Sequence, residues 1–131
     1  MDKRGKLNIF TDHRGGNLIP LHLDSLDFDV KRIFTVADVP PGQIRGEHAH
    51  YETKQVLLCV SGKIIVNLDY GTHYEELQIE SGEWVYIDKM VWDSQKFVTG
   101  NEFMVVFCST EYDISDYILN KEEFYKIVNQ R

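Results

Sequence analysis

From Arg32 onward the chain is written in short apolar or alternating runs, each closed by a turn signal: Pro40-Pro41-Gly42, Ser61-Gly62, Asp69-Tyr70-Gly71, Ser81-Gly82 and Thr99-Gly100-Asn101. That rhythm is the signature of an antiparallel sandwich or barrel. The predicted strands are Arg32 to Ala37, Lys54 to Val60, Lys63 to Asp69, Tyr74 to Ile79, Trp84 to Ile87, Val91 to Val98 and Phe103 to Ser109. They are rich in Val, Ile, Phe, Tyr and Trp, the residues that suit a pleated, half-buried surface. Leu57 to Val60 is apolar throughout, which predicts a strand lying between two layers. Near the end, Asn120 followed by Glu123 reads as a helix N-cap with its reciprocal acid, and Phe124, Ile127 and Val128 fall on one helical face. The first 30 residues are less regular, with a loop at Arg14-Gly15-Gly16-Asn17. The expected fold is all-β, one domain over residues 1–131, with a short C-terminal helix.

Composition agrees with a compact domain: 131 residues, 43% of them hydrophobic and 27% charged. No stretch approaches the roughly 20 apolar residues of a membrane span. The opening Met1-Asp2-Lys3-Arg4-Gly5-Lys6 leads into no signal-like apolar run, so a cytoplasmic protein is expected. Cys59 and Cys108 lie in apolar runs without a CxxC neighbour, as buried structural thiols do. With 21 acidic against 14 basic residues the net charge is −7, which argues against nucleic acid as a partner. An anionic small molecule needs only a local arginine cluster.

Candidate chemistry concentrates in Arg45-Gly46-Glu47-His48-Ala49-His50. Two imidazoles one residue apart on an extended segment share a face. Beside an arginine they suit either a metal or proton transfer on an anionic substrate. The spacing Gly42, five residues, His48, one residue, His50, four residues, Gln55, six residues, Gly62 resembles the first motif of the cupin superfamily, with glutamine where an acidic metal ligand is usual. The second motif, counted from Gly82, would place Pro, Gly and His at positions held here by Asp88, Met90 and Asp93. Two of four usual ligands therefore survive, and amide oxygen is a weak replacement for a carboxylate. His48, His50 and Asp93 still define a rival reading, the facial triad of a metal-dependent cupin oxygenase. A non-catalytic sugar-binding cupin is a third.

Further fragments narrow the resemblance. Asp12-His13-Arg14-Gly15, Val30-Lys31-Arg32-Ile33-Phe34, the RGxHAH segment, Gln55 to Gly62 and Asp116-Tyr117-Ile118 occur in the order seen in the sugar 3,4-ketoisomerase family, within the WxcM-like group. The chain resembles that family over nearly its whole length. What the resemblance implies is a small cupin-type jelly roll, usually a homodimer, acting without a metal or other cofactor. Its substrate would be dTDP-4-keto-6-deoxyglucose, a dTDP-linked 4-keto-6-deoxyhexose, whose ketone moves from carbon 4 to carbon 3 on the way to deoxy-amino sugars. Such a reaction needs a base at carbon 3 and proton return at carbon 4. His50 is the leading base and His48 its partner, with the two roles interchangeable at this stage. Arg45 is a candidate for steadying the enediolate or gripping the diphosphate, provided the strand bends at Gly46 to bring it onto the histidine face. Arg14, Gln55, Tyr86 and Trp92 are further candidates for substrate contact. Asp93 stands where the family pattern has histidine after the tryptophan, which puts proton delivery to carbon 4, and the configuration it sets there, in question.

Overall fold

A computed structural model describes residues 1–130. Ten strands and one helix follow in order: β1 (Arg4–Lys6), β2 (Arg32–Ala37), β3 (Ile44–His50), β4 (Gln55–Ser61), β5 (Lys63–Asp69), β6 (Tyr74–Glu80), β7 (Glu83–Ile87), β8 (Trp92–Phe97), β9 (Phe103–Cys108), β10 (Tyr117–Ile118) and α1 (Lys121–Asn129). They form two antiparallel five-stranded sheets, ordered β1-β7-β4-β9-β2 and β10-β3-β8-β5-β6. This is the antiparallel sandwich that the turn spacing predicts, in the jelly-roll form that the family resemblance implies.

Between the sheets lies one apolar core. Leu57, Cys59, Val85, Ile87, Met104, Val106 and Cys108 come from the first sheet and Ile64, Val66, Leu68 and Phe97 from the second. Both cysteines are free and buried, as expected of small apolar residues. The unbroken apolar run in β4 has the predicted cause. Leu57 and Cys59 face the core, while Val56 and Leu58 face a second cluster where Leu7, Leu21, Leu26, Phe28 and Val30 of the N-terminal segment cover the outside of the sheet.

Three strands escaped the pattern. β1 and β10 are too short to show a period. β3, Ile-Arg-Gly-Glu-His-Ala-His, lacks the β-branched and aromatic runs of its neighbours and is held by pairing with β8 and β10. Tertiary pairing overrides weak propensity there. At the other end the Asn120 side chain accepts from the Glu123 N–H at 2.9 Å, and Phe124 is fully buried, so α1 starts and packs as predicted. No helix among the described residues is long and apolar enough to cross a membrane.

Candidate active site

The site is built on β3. Gly46 and Glu47 both take positive φ, 88° and 65°, and the pairing with β8 shifts register between Gly46 and His48. This bulge cancels one step of the strand's alternation. Arg45 and His48, which an unbroken strand would send to opposite faces, therefore line the same cavity of about 200 Å³. Gln55 on β4, Asp93 and Gln95 on β8, Tyr117 on β10 and the apolar Phe34, Val36, Leu57, Met104 and Val106 complete its walls.

His48 and Tyr117 form the cavity wall, and His50 packs against both rings, with centroids 4.9 Å and 4.4 Å away. His50 is 3% exposed. Its Nδ1 lies 3.0 Å from Asp116 Oδ2, while Nε2 is buried without a protein partner. Asp116 is itself fixed: the Glu52 N–H donates to Oδ1 at 2.7 Å, and the Thr53 hydroxyl donates to Oδ2. A carboxylate on Nδ1–H sets the tautomer in which Nε2 carries the free lone pair. Burial pushes the His50 pKa down, an effect that Asp116 opposes and the Arg32 guanidinium reinforces. His48 is pushed down further, to about 4, by burial and by His50 beside it. Both imidazoles are therefore neutral near pH 7, the form a base requires.

Asp93 is 1% exposed, and the Gln95 side-chain amide donates to its Oδ1 at 2.5 Å. Burial pushes its pKa up to about 7, against the Gln95 hydrogen bond, which favours the charged form. Gln55, 4% exposed, points its amide at the Cys108 sulfur 3.7 Å away. Among the described residues no three His, Cys, Asp or Glu side chains are disposed to hold a metal ion, so His48, His50 and Asp93 do not form the facial triad of the rival reading.

Three predicted contacts lie elsewhere. Tyr86 shares with Trp84 the outward face of β7 and packs beside Leu26, Phe28 and Val30, because alternation gives the inward positions to Val85 and Ile87. Trp92 precedes Asp93 on β8 and so faces the other way, packing on Phe124 of α1 at a centroid distance of 5.9 Å and bordering a separate open cleft with Glu47 and Lys121. Arg14 sits in an exposed loop, paired with Asp12 at 2.5 Å, and lines a surface depression with Phe10 and Leu18 instead of the cavity. Conversely, sequence reasoning assigned no role to Asp116, Thr53, Tyr117, Gln95 or Arg32. Asp116-Tyr117-Ile118 was part of the family resemblance, but 66 residues separate Asp116 from His50, and only the fold joins them.

A jelly roll with a buried histidine–carboxylate pair behind the wall of a small cavity, lined about equally by polar and apolar residues, defines a cupin-type protein with groups suited to proton transfer. The model of the family described as "FdtA: WxcM-like, C-terminal" matches residues 3–129, and the chain belongs to that family. It is 30% identical over 118 residues to a TDP-4-oxo-6-deoxy-alpha-D-glucose-3,4-oxoisomerase of Aneurinibacillus thermoaerophilus, an alignment covering 89% of this chain and 85% of the relative. Among solved structures it resembles WlaRB, a TDP-quinovose 3,4-ketoisomerase from Campylobacter jejuni, at 32% identity and TM-score 0.84 over 95% of this chain and 96% of that one. It also resembles QdtA, a sugar 3,4-ketoisomerase from Thermoanaerobacterium thermosaccharolyticum in complex with TDP, at 26% identity and TM-score 0.88 over 98% and 96%.

Proposed function

We infer that this protein is a nucleotide-sugar 3,4-ketoisomerase that moves the ketone of a TDP-linked 4-keto-6-deoxyhexose from carbon 4 to carbon 3. The observation that carries the reading is the His50–Asp116 pair, which leaves a neutral, unpartnered Nε2 on a buried ring packed behind the cavity-lining His48 and Tyr117. His50 takes the proton from carbon 3, and Asp116 steadies the imidazolium that results. Negative charge then develops on the sugar oxygens in a cavity partly walled by apolar side chains, where fixed donors act more strongly than in bulk water. Arg45 and the Tyr117 hydroxyl are the donors on the cavity wall. Arg45 and nearby Arg32 supply the positive charge that a diphosphate requires in a chain of net charge −7. His48 moves a proton between the two oxygens, and Gln55 orients His48 or a sugar hydroxyl. None of these steps needs an oxidant, a reductant or a metal.

The protein acts as a homodimer in the cytoplasm. The unpaired thiols of Cys59 and Cys108 fit a reducing compartment. The arm between the paired residues Phe10 and Leu18 leaves both side chains more than half exposed and carries Arg14 in its loop. A second copy is the occupant that would cover it and give Arg14 a route to substrate.

The test is chelator-treated protein with TDP-4-keto-6-deoxyglucose in D2O, followed by NMR. The ketone is expected at carbon 3, with deuterium entering the ring. Inversion at carbon 5 without ketone movement identifies an epimerase instead, and tight binding without turnover a non-catalytic module. Full activity in His50→Asn removes His50 as the base.

A further inference from the structure

The chain nearly fully buries three carboxylates, and it treats one of them differently. Glu102, 2% exposed, accepts from the N–H groups of Lys63, Thr99 and Gly100 and from the Thr99 hydroxyl. Asp69 accepts from the Gly71 N–H and the Tyr125 hydroxyl and has the Lys121 ammonium 3.5 Å away. These are the usual ways to bury a negative charge. Asp93 is the most deeply buried of the three, yet it receives a single hydrogen bond, from the neutral Gln95 amide to Oδ1. Its Oδ2 has no protein partner.

Alternation along β8 turns Asp93 and Gln95 into the cavity that His48, Arg45 and Tyr117 also line. Facing groups are therefore Arg45 and His48 from β3, Tyr117 from β10 and the neutral Gln55 from β4; the neighbour on β5 is Leu68. None of them makes a hydrogen bond or ion pair with the carboxyl. A protonated Asp93 fits this environment better than a carboxylate does: Oδ1 accepts from Gln95, and Oδ2–H is a donor with no protein acceptor, on a side chain that lines the cavity. Burial, which holds the group uncharged up to about pH 7, agrees.

We propose that Asp93 is the acid that protonates carbon 4, handing its Oδ2 proton to the enediolate after His50 has taken the proton from carbon 3. The proposal rests on the ketoisomerase reading. The bookkeeping closes on the chain's own groups. As the C3–H bond breaks, its proton goes to His50 Nε2, its electron pair forms the C3=C4 bond, and the carbonyl pair moves to O4. The hydroxyl proton on O3 passes to O4. The pair on O3 then forms the new ketone, and the C3=C4 pair takes the Asp93 proton at carbon 4. His50 is left as imidazolium and Asp93 as carboxylate, so one proton passed from His50 to Asp93 restores both. His48 stands on that path, with its ring 4.9 Å from His50 and its backbone directly opposite Asp93 in the β3–β8 pairing.

Splitting the two proton transfers between two groups makes them separable. Wild-type protein is first given TDP-4-keto-6-deoxyglucose in D2O; no movement of the ketone overturns the ketoisomerase reading itself, independently of Asp93. Asp93→Asn keeps the shape and an acceptor for Gln95 but has no acidic proton. It is expected to keep exchanging the carbon 3 hydrogen at a rate within about tenfold of wild type while 3-keto product falls about 10²-fold or more, the scale of a lost general acid. Exchange and product falling together, or product persisting, overturns the proposal. If the variant does not fold, wild type supplies the answer with substrate deuterated at carbon 3 in H2O. With enzyme in excess, so that each site turns over once, no deuterium is expected at carbon 4; label found there in that first turnover shows that one base serves both carbons and overturns the assignment.

Discussion

Asp116 shows how one residue outside the histidine motif sets the chemistry within it. His50 is buried deeply enough to favour the neutral ring, and Asp116 raises its affinity for a proton again while fixing which nitrogen carries it. Asp116→Asn leaves a side chain of the same shape and removes the charge. The rate is expected to fall about 10²- to 10⁴-fold, because the imidazolium formed on proton abstraction loses its counter-charge. The pH profile separates this role from a merely structural one. Activity falls on the acid side as His50 becomes protonated, and burial places that limb below the ordinary histidine value of about 6.5. Without Asp116 the proton is held less tightly, so the limb moves to lower pH. An unmoved limb, measured in kcat/KM against pH, would show that Asp116 only shapes the fold.

At the scale of elements, legibility followed periodicity. Seven strands and the capped helix were readable because β-branched runs, turn residues and the Asn120 cap all agreed with the packing that formed. β3, which carries the histidines, was recognisable by motif but not as a strand, since its conformation comes from pairing and from a bulge. Arg45 reached the cavity because Gly46 allowed that bulge, whereas Tyr86 and Trp92 obeyed simple alternation and faced away. Face assignment along an unbroken strand needs only one reference residue; across a bulge it needs the structure. Gly46→Ala tests the bulge. At φ 88° an alanine is strained, and its Cβ would lie 3.0 Å from Gln95 Oε1 and 3.2 Å from the Asp93 carbonyl oxygen. Urea denaturation is expected to show a loss of about 1–3 kcal/mol, the scale of a strained backbone site. kcat/KM should drop as well, because Arg45, His48 and the Asp93–Gln95 pair are aligned through this contact; unchanged stability and activity would mean that the bulge is incidental.

At the scale of the whole molecule, association depends on which apolar faces one chain already covers. Its core between the sheets is complete, and the N-terminal segment covers the outside of its own first sheet, with β1 pairing to β7 of the same chain. Strand exchange is therefore not required to bury either face. Among the large apolar side chains that stay exposed, Phe10 and Leu18, 54% and 62% exposed, sit together on one arm, joined by a single bridge and tipped by the Arg14 loop. Two neighbouring apolar side chains held out by a short arm are costly in a monomer and useful against a partner surface. Light scattering on the eluting protein is expected to give about twice the chain mass of 15.3 kDa. Phe10→Ser with Leu18→Ser, which leaves the core untouched, should shift that mass toward the monomer. If Arg14 acts across the interface, the same variant raises KM for the nucleotide sugar, and Arg14→Ala raises it without dissociating the dimer. A double variant that stays dimeric with unchanged KM would exclude the arm as the contact and leave Arg14 an ordinary solvated residue paired with Asp12.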